Sequence, residues 1–283
     1  MTGLVLEGGA MRGLFSAGVM DVMMENGLAF DGVIGVSAGA AFGCNYKSRQ
    51  PGRTIRYNMK YSRDWRYCSF RSLLRTGDLY GAEFCYRALP NELDPFDQQA
   101  FQQNPMSFWV VCTDVATGAP VYRRLDRAGN ECSDWIRASA SMPLVSRVVE
   151  LEGRGYLDGG IADSIPLRAF EERGFERNVV ILTQPEGFVK QPSPAPGLMR
   201  LALRKIPRVA EALKHRHQNY NEAVAYVLKR ERVGAALVIR PDEKLDISRT
   251  EHDAEKMRAV YEQGRAVAQR RLEEIRAFIQ TKP

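Results

Sequence analysis

Short, almost uninterrupted apolar runs alternate along this chain with longer segments whose apolar positions recur at helical spacing. GLVLEG (3–8), DGVIGVS (31–37), SFWVVCTDV (107–115), NVVILTQ (178–184) and AALVIRP (235–241) read as strands. PVYRR (120–124) follows the third as a hairpin partner, and GRGYLDGG (153–160) ends a short strand at Asp158. Helical patterns cover about 14–27, 132–140, 166–173, 196–230 and 252–279, with Pro207 interrupting the fourth, and a further helix starts at Ser37. Strand and helix in alternation predict an α/β fold: an open, mostly parallel sheet with helices on both faces.

Residues 47–105 break this rhythm. They are rich in Tyr, Arg and Trp, show little alternation, and read as short helices and loops forming a cap or lid over the sheet. QPEGFVKQPSPAPG (184–197) is Pro/Gly-rich and reads as a surface loop. With no internal repeat and no clear boundary, residues 1–283 are expected to form a single domain, closed by C-terminal helices and a last strand over 198–283.

Composition narrows the function classes. No apolar stretch reaches the length of a membrane span, and MTGLVLEGGAMRG lacks the basic start and apolar core of a secretory signal. The five cysteines are odd in number and show no CxxC spacing. These features predict a cytoplasmic protein with reduced thiols. No His/Cys cluster has metal-ligand spacing, so neither a metal nor another cofactor is expected. The net charge of +6 suits anionic partners. No nucleic-acid signature accompanies it, which leaves peripheral contact with an anionic membrane surface, on the inner side.

Three short patterns carry chemistry. In GVIGVSAGAAFG (32–43) an apolar strand runs into Gly-Val-Ser-Ala-Gly and a small-residue helix, the form of a nucleophile elbow. Ser37 is the candidate nucleophile, and Gly35 and Gly39 flank it where a tight turn leaves no room for Cβ atoms. The alternative is a tight turn whose serine only caps the helix. In EGGAMRG (7–13) the backbone N–H groups of Gly8, Gly9, Ala10, Met11, Arg12 and Gly13 can converge on a developing oxyanion. Arg12 adds charge or clamps the loop to an acidic neighbour. A dinucleotide-binding turn would want G-x-G-x-x-G and an acidic residue ending the second strand, and neither is present. In YLDGG, Asp158 ends a strand, and Gly159 and Gly160 let its loop approach the elbow, so Asp158 is the candidate base. Burial would raise its pKa toward neutrality. Asp-Gly-Gly is also an ordinary turn signal.

These patterns, in this order, resemble the patatin-like phospholipase family, and the likeness extends to RASASMP (137–143) and DGGIADSIP (158–166), covering at least residues 3–184. The resemblance implies a three-layer fold in which the serine is paired directly with the aspartate and no histidine takes part. It also implies a lipid or phospholipid acyl ester as substrate. One position departs from the family pattern: the third glycine of the oxyanion loop is Ala10, which resists φ > 0.

Two rivals and two surface features complete the reading. The order Ser37, Asp158, His252 also fits a triad, although His252, His215 and His217 all lie in charged helical segments. A ligand- or nucleotide-binding module, or a catalytically impaired lipid-binding homologue, would use the same glycine loop. Tyr57, Tyr61 and Trp65 recur every four residues in the cap and either line an acyl channel or simply pack. LMRLALRKIPRVAEALKHRH (198–217) carries Leu201, Ala202, Ile206, Val209 and Leu213 on one face among basic residues, and reads as a membrane-resting helix or as a packed helix with a solvated basic side.

Overall fold

The computed structural model describes residues 1–280. Strands β1 (Thr2–Leu6), β2 (Gly32–Val36), β3 (Ser107–Asp114), β7 (Arg177–Ile181) and β8 (Ala236–Ile239) form a parallel core ordered β3-β2-β1-β7-β8. Antiparallel β4 (Pro120–Arg124), β5 (Val149–Leu151) and β6 (Arg154–Asp158) extend it beyond β3. The α/β sheet is thus open and mostly parallel, as the sequence pattern predicts.

Each parallel strand is buried on both faces, which is why its sequence is nearly continuous apolar rather than alternating. Side chains still segregate with period two. Leu4, Leu6, Val33, Val110, Val179 and Ile181 join a cluster with α1 (Gly13–Glu25), α2 (Ala38–Lys47) and α10 (Ala254–Arg270). Val5, Ile34, Val36, Val111 and Val180 turn the other way, toward α7 (Leu167–Glu171) and α9 (Pro207–Arg232). Helix α1 is buried almost all round, sandwiched between the sheet and α10.

The segment over 47–105 holds α3 (Arg53–Tyr61), α4 (Phe70–Thr76), a π-helical stretch at Phe84–Leu93 and α5 (Gln98–Gln103). Helix α6 (Asn130–Ser139) packs beside it. Pro207 divides the fourth helical pattern into α8 (Pro196–Ala202) and α9, where it occupies the first turn. The last pattern is not one helix but two, α10 and α11 (Leu272–Gln280). The break falls at Arg271, whose guanidinium reaches the Val238 carbonyl and Glu274.

One feature of register positions the site. Strand β4 occupies one edge of β3 from Trp109 to Thr113, so β2 and β6 must share the other. Val36 pairs with Val111, and Asp158 pairs with the next residue, Cys112. Strands β2 and β6 therefore run toward each other along one edge and end head to head, placing Ser37 against Asp158.

Candidate active site

Ser37 sits between β2 and α2 with φ 55° and ψ −119°, a conformation L-residues avoid. Neighbouring backbone holds it there. A Cβ at Gly35 would lie 2.4 Å from the Gly39 carbonyl oxygen, and one at Gly39 2.6 Å from that of Leu6. The Ser37 N–H donates to Ser139 Oγ (3.0 Å), whose hydroxyl donates in turn to the Val111 carbonyl (2.6 Å). Ser139 lies in RASASMP and ties the elbow to β3, a role that no local spacing reveals.

Asp158 is buried. Its carboxylate accepts from the Gly160 N–H (2.7 Å), its own N–H donates to the Ser141 carbonyl (2.8 Å), and its carbonyl accepts from Thr113 Oγ1 (2.8 Å). Desolvation raises its pKa, against hydrogen bonding from Ser37, the charge of Arg216 and the Gly160 N–H. Arg216 comes from α9 and donates through Nε to the Gly160 carbonyl, as does Ser164 Oγ (2.9 Å). A Cβ at Gly159 would lie 2.1 Å from the Val111 carbonyl, so only glycine admits this approach.

The 7–13 loop lies beside the elbow. Buried Glu7 anchors it, accepting from the Thr183 N–H (2.5 Å) and Tyr220 OH (2.8 Å). Gly8 packs on Ser37, Gly9 on Thr183, and Gly13 on Ala38 and Phe42. Arg12 reaches Thr183 Oγ1 (3.4 Å) and feels the Glu7 charge. The six loop N–H groups do not all converge on one point, because those of Gly8, Arg12 and Gly13 are spent on the carbonyls of Ser164, Gly9 and Ala10. Ala10 and Met11 face the same cavity as Ser37.

Ala10 has φ 49°, so the position that departs from the family pattern is left-handed. The Cβ there costs about 1 kcal/mol relative to glycine. Ala10→Gly should raise folding stability by about that amount in urea unfolding. An unchanged or lower midpoint would mean that the loop relaxes around alanine.

The cavity holds about 490 Å³. Its walls are mainly apolar and aromatic, from α2, α6, residues 140–146 and the 47–105 segment, including Tyr57, Tyr86, Leu89 and Phe96. Of the aromatic stripe only Tyr57 lines it. Tyr61 packs edge-on against Phe84, and Trp65 lies under Arg71 and Arg75, because α3 ends at Tyr61 and Trp65 falls in the turn beyond it. No histidine lines the cavity among the described residues: His215 is exposed beside Glu211 and Gln218, and His252 bonds to the Ser62 carbonyl. The 198–217 face is also split, since Val209, Ile206 and Leu213 pack on Leu157 and Ile161 while Leu198 and Leu201 stay exposed. Among the described residues, no cluster could hold a metal ion, and no helix is long and apolar enough to cross a membrane.

A model of the patatin-like phospholipase family matches residues 4–171, more than half of the chain. The chain belongs to that family. The match takes in the elbow, the glycine loop and Asp158, while residues 206–280 match a domain of unknown function. This patatin-like chain is 30% identical to the Escherichia coli protein YjjU over 80% of its own length and 64% of that protein's. It is 27% identical to Lysophospholipase NTE1 of Cryptococcus neoformans over 63% of its length but only 11% of NTE1. The structure of VipD from Legionella pneumophila aligns with 96% of this chain and 67% of its own at 13% identity, with a TM-score of 0.49.

Proposed function

We propose that the protein is a serine acyl hydrolase of lipids, of phospholipase or lysophospholipase type, working through Ser37 and Asp158. The observation that carries this reading is the meeting of a strained serine and a buried carboxylate at the facing ends of β2 and β6, with Ser37 facing an apolar cavity. The cavity takes the acyl chain, and the 47–105 segment acts as its cap. Ser37 Oγ attacks the ester carbonyl carbon as its proton passes to Asp158. The N–H groups of Ala10 and Met11, with the N-terminus of α2, stabilise the oxyanion. Collapse breaks the ester C–O bond, and the leaving alcohol takes the proton from Asp158. Water, deprotonated by Asp158, then attacks the acyl-enzyme, releases the fatty acid and restores Ser37. This chemistry needs no cofactor.

A fluorophosphonate probe followed by peptide mass mapping tests the proposal. A label on Ser37 is the expected result. A folded protein that stays unlabelled would favour a binding protein with an impaired loop at Ala10.

The proton acceptor must be ionised, so kcat/KM should fall as pH drops through the raised pKa of Asp158 and level off above it. The acid limb therefore lies above the ordinary carboxylate range. Arg216→Gln removes a charge that lowers this pKa, and should move the limb to higher pH. A limb unmoved in the variant would detach Arg216 from the base.

Contact with an anionic membrane is part of this reading. Helix α4 exposes Phe70 and Leu74 beside Arg71 and Arg75, and leads directly to Leu79 and Tyr80 of the cavity wall. In 198–217 the apolar face is divided, with Ile206, Val209 and Leu213 packed and only Leu198, Leu201 and Ala202 left exposed.

A further inference from the structure

Arg53 places a charged group in the mainly apolar wall of the cavity. It stands at the start of α3, and its side chain is only 5% exposed. The Tyr57 and Phe96 rings flank the guanidinium carbon, with centroids 5.3 and 5.4 Å away. Nε and Nη2 donate to the Asp94 carbonyl (3.2 and 2.6 Å), and Nη1 donates to Asn45 Oδ1 (2.9 Å). Each terminal nitrogen carries two N–H groups and, among the described residues, uses one. Two donors are thus left on a buried side chain that lines the cavity.

The charge of Arg53 is not balanced. Its ion pair among the described residues is with Asp94, whose carboxylate lies 3.3 Å from Nε. That carboxylate is held more closely by Arg56, through two bonds of 2.8 Å. Two guanidiniums therefore share one carboxylate. Arg56 is more than half exposed and screened by water, so the surplus falls on buried Arg53. Asp21 comes near at the Gly52 N–H (2.8 Å), but it is taken up by Tyr261 OH (2.7 Å) and pairs with neither arginine among the described residues. A buried cation with surplus charge and spare donors is costly unless an anion meets it, and a guanidinium with two free N–H groups matches the two oxygens of a carboxylate.

Helix α2 sets how far this group lies from the nucleophile. Ser37, Ala38, Ala41 and Cys44 line the cavity in turn, and Asn45, which fixes Arg53, is eight residues beyond Ser37. At the rise of an α-helix that is about 12 Å. A hydrogen bond takes up about 2.8 Å of it. An extended chain advances roughly 3.6 Å per three bonds, so about eight bonds cover the rest. That is the span from the ester carbonyl to the far carboxyl carbon of a nine-carbon diacid.

We propose that Arg53 forms a subsite for a carboxylate at the far end of the substrate's acyl chain, so that the protein cleaves half-esters of dicarboxylic acids about nine carbons long. The substrate assignment rests on the hydrolase reading, and the carboxylate subsite itself does not. Oxidative cleavage of an unsaturated acyl chain at a mid-chain double bond is the class of reaction that supplies such a substrate.

The test compares the 4-nitrophenyl half-ester of nonanedioic acid with 4-nitrophenyl nonanoate on the full chain, at a pH where the free carboxyl is ionised. The wild type is expected to cleave the half-ester at least as well as the nonanoate. An unpaired carboxylate forced into an apolar cavity would instead lower the kcat/KM ratio by about a hundred-fold, and that result would overturn the proposal. Arg53→Met should lower the ratio by about ten-fold or more, and Arg53→Lys, which keeps the charge and loses the fork, by less. A ratio indifferent to Arg53→Met would also overturn it. Should Arg53→Met fail to fold, half-esters of diacids of about six, nine and twelve carbons decide on the wild type alone. A maximum near nine is expected, and a steady rise with length would overturn the subsite. If the wild type cleaves neither ester, the hydrolase reading fails, and calorimetric titration with monomethyl nonanedioate decides the rest. Binding weakened about ten-fold by Arg53→Met would uphold the carboxylate subsite. No binding, or binding indifferent to the substitution, would overturn it.

Discussion

Asp158→Asn is expected to lower kcat for ester hydrolysis by about 10⁴-fold, and Ser37→Ala by at least as much, which is the scale of losing the base or nucleophile of an acyl-transfer site. Asparagine keeps an acceptor for the Gly160 N–H, and loses the charge that burial disfavours. Its melting temperature should therefore match or exceed that of the wild type. That combination separates a chemical role from a structural one, because a turn residue would cost stability and leave chemistry untouched. Rates with short-chain and phospholipid esters, alongside thermal unfolding, decide the matter. Wild-type-like turnover in Asp158→Asn would remove Asp158 from the mechanism. A variant free of His215, His217 and His252 should keep most of its activity, since none of them lines the cavity.

The second large effect concerns α1 and α10. A Cβ at Gly264 would lie 2.0 Å from the Phe15 carbonyl oxygen, and one at Gly18 2.1 Å from that of Tyr261. The two helices thus touch backbone to backbone, with Tyr261 OH donating to Asp21 (2.7 Å) and Arg265 paired to Glu25 (2.8 Å) beside the contact. Gly264→Val must push α10 away from α1, and rigid carbonyls offer no side chain that could yield. The cost should reach about 3 kcal/mol, the upper end for overpacking a core. For a chain of this size that corresponds to a melting temperature lower by about 10 °C. Because α1 continues directly from the glycine loop, activity should fall before global unfolding. A shift below about 2 °C would show that α10 is not held against α1 at this crossing.

Much of the fold was legible because the signals are local. Strands buried on both faces have to be continuous apolar runs, and Pro207 has to start a helix rather than continue one. Ser37 was legible for the same reason: a strand-to-helix turn this tight tolerates no Cβ at Gly35 or Gly39, and the constraint is written into five consecutive residues. Asp158 was readable as a strand end followed by Gly-Gly, and Ala10 as the one position where the loop pattern is broken. The aromatic stripe left two readings open, channel lining or packing, and divides between them, because the helical spacing of Tyr57, Tyr61 and Trp65 does not reveal that α3 stops at Tyr61.

By itself, then, the sequence determined the α/β class, the family, the elbow and the break in the glycine loop, since each depends on the conformation of a few adjacent residues. Only the tertiary structure decided that β6 follows β2 along one edge of β3, which brings Ser37 to Asp158. It alone placed Ser139 under the elbow, Arg216 against Gly160, and Tyr220 against Glu7. Those contacts join segments separated by up to two hundred residues or more, and their strength depends on burial and charge at a point in space. Periodicity along a chain carries no record of either.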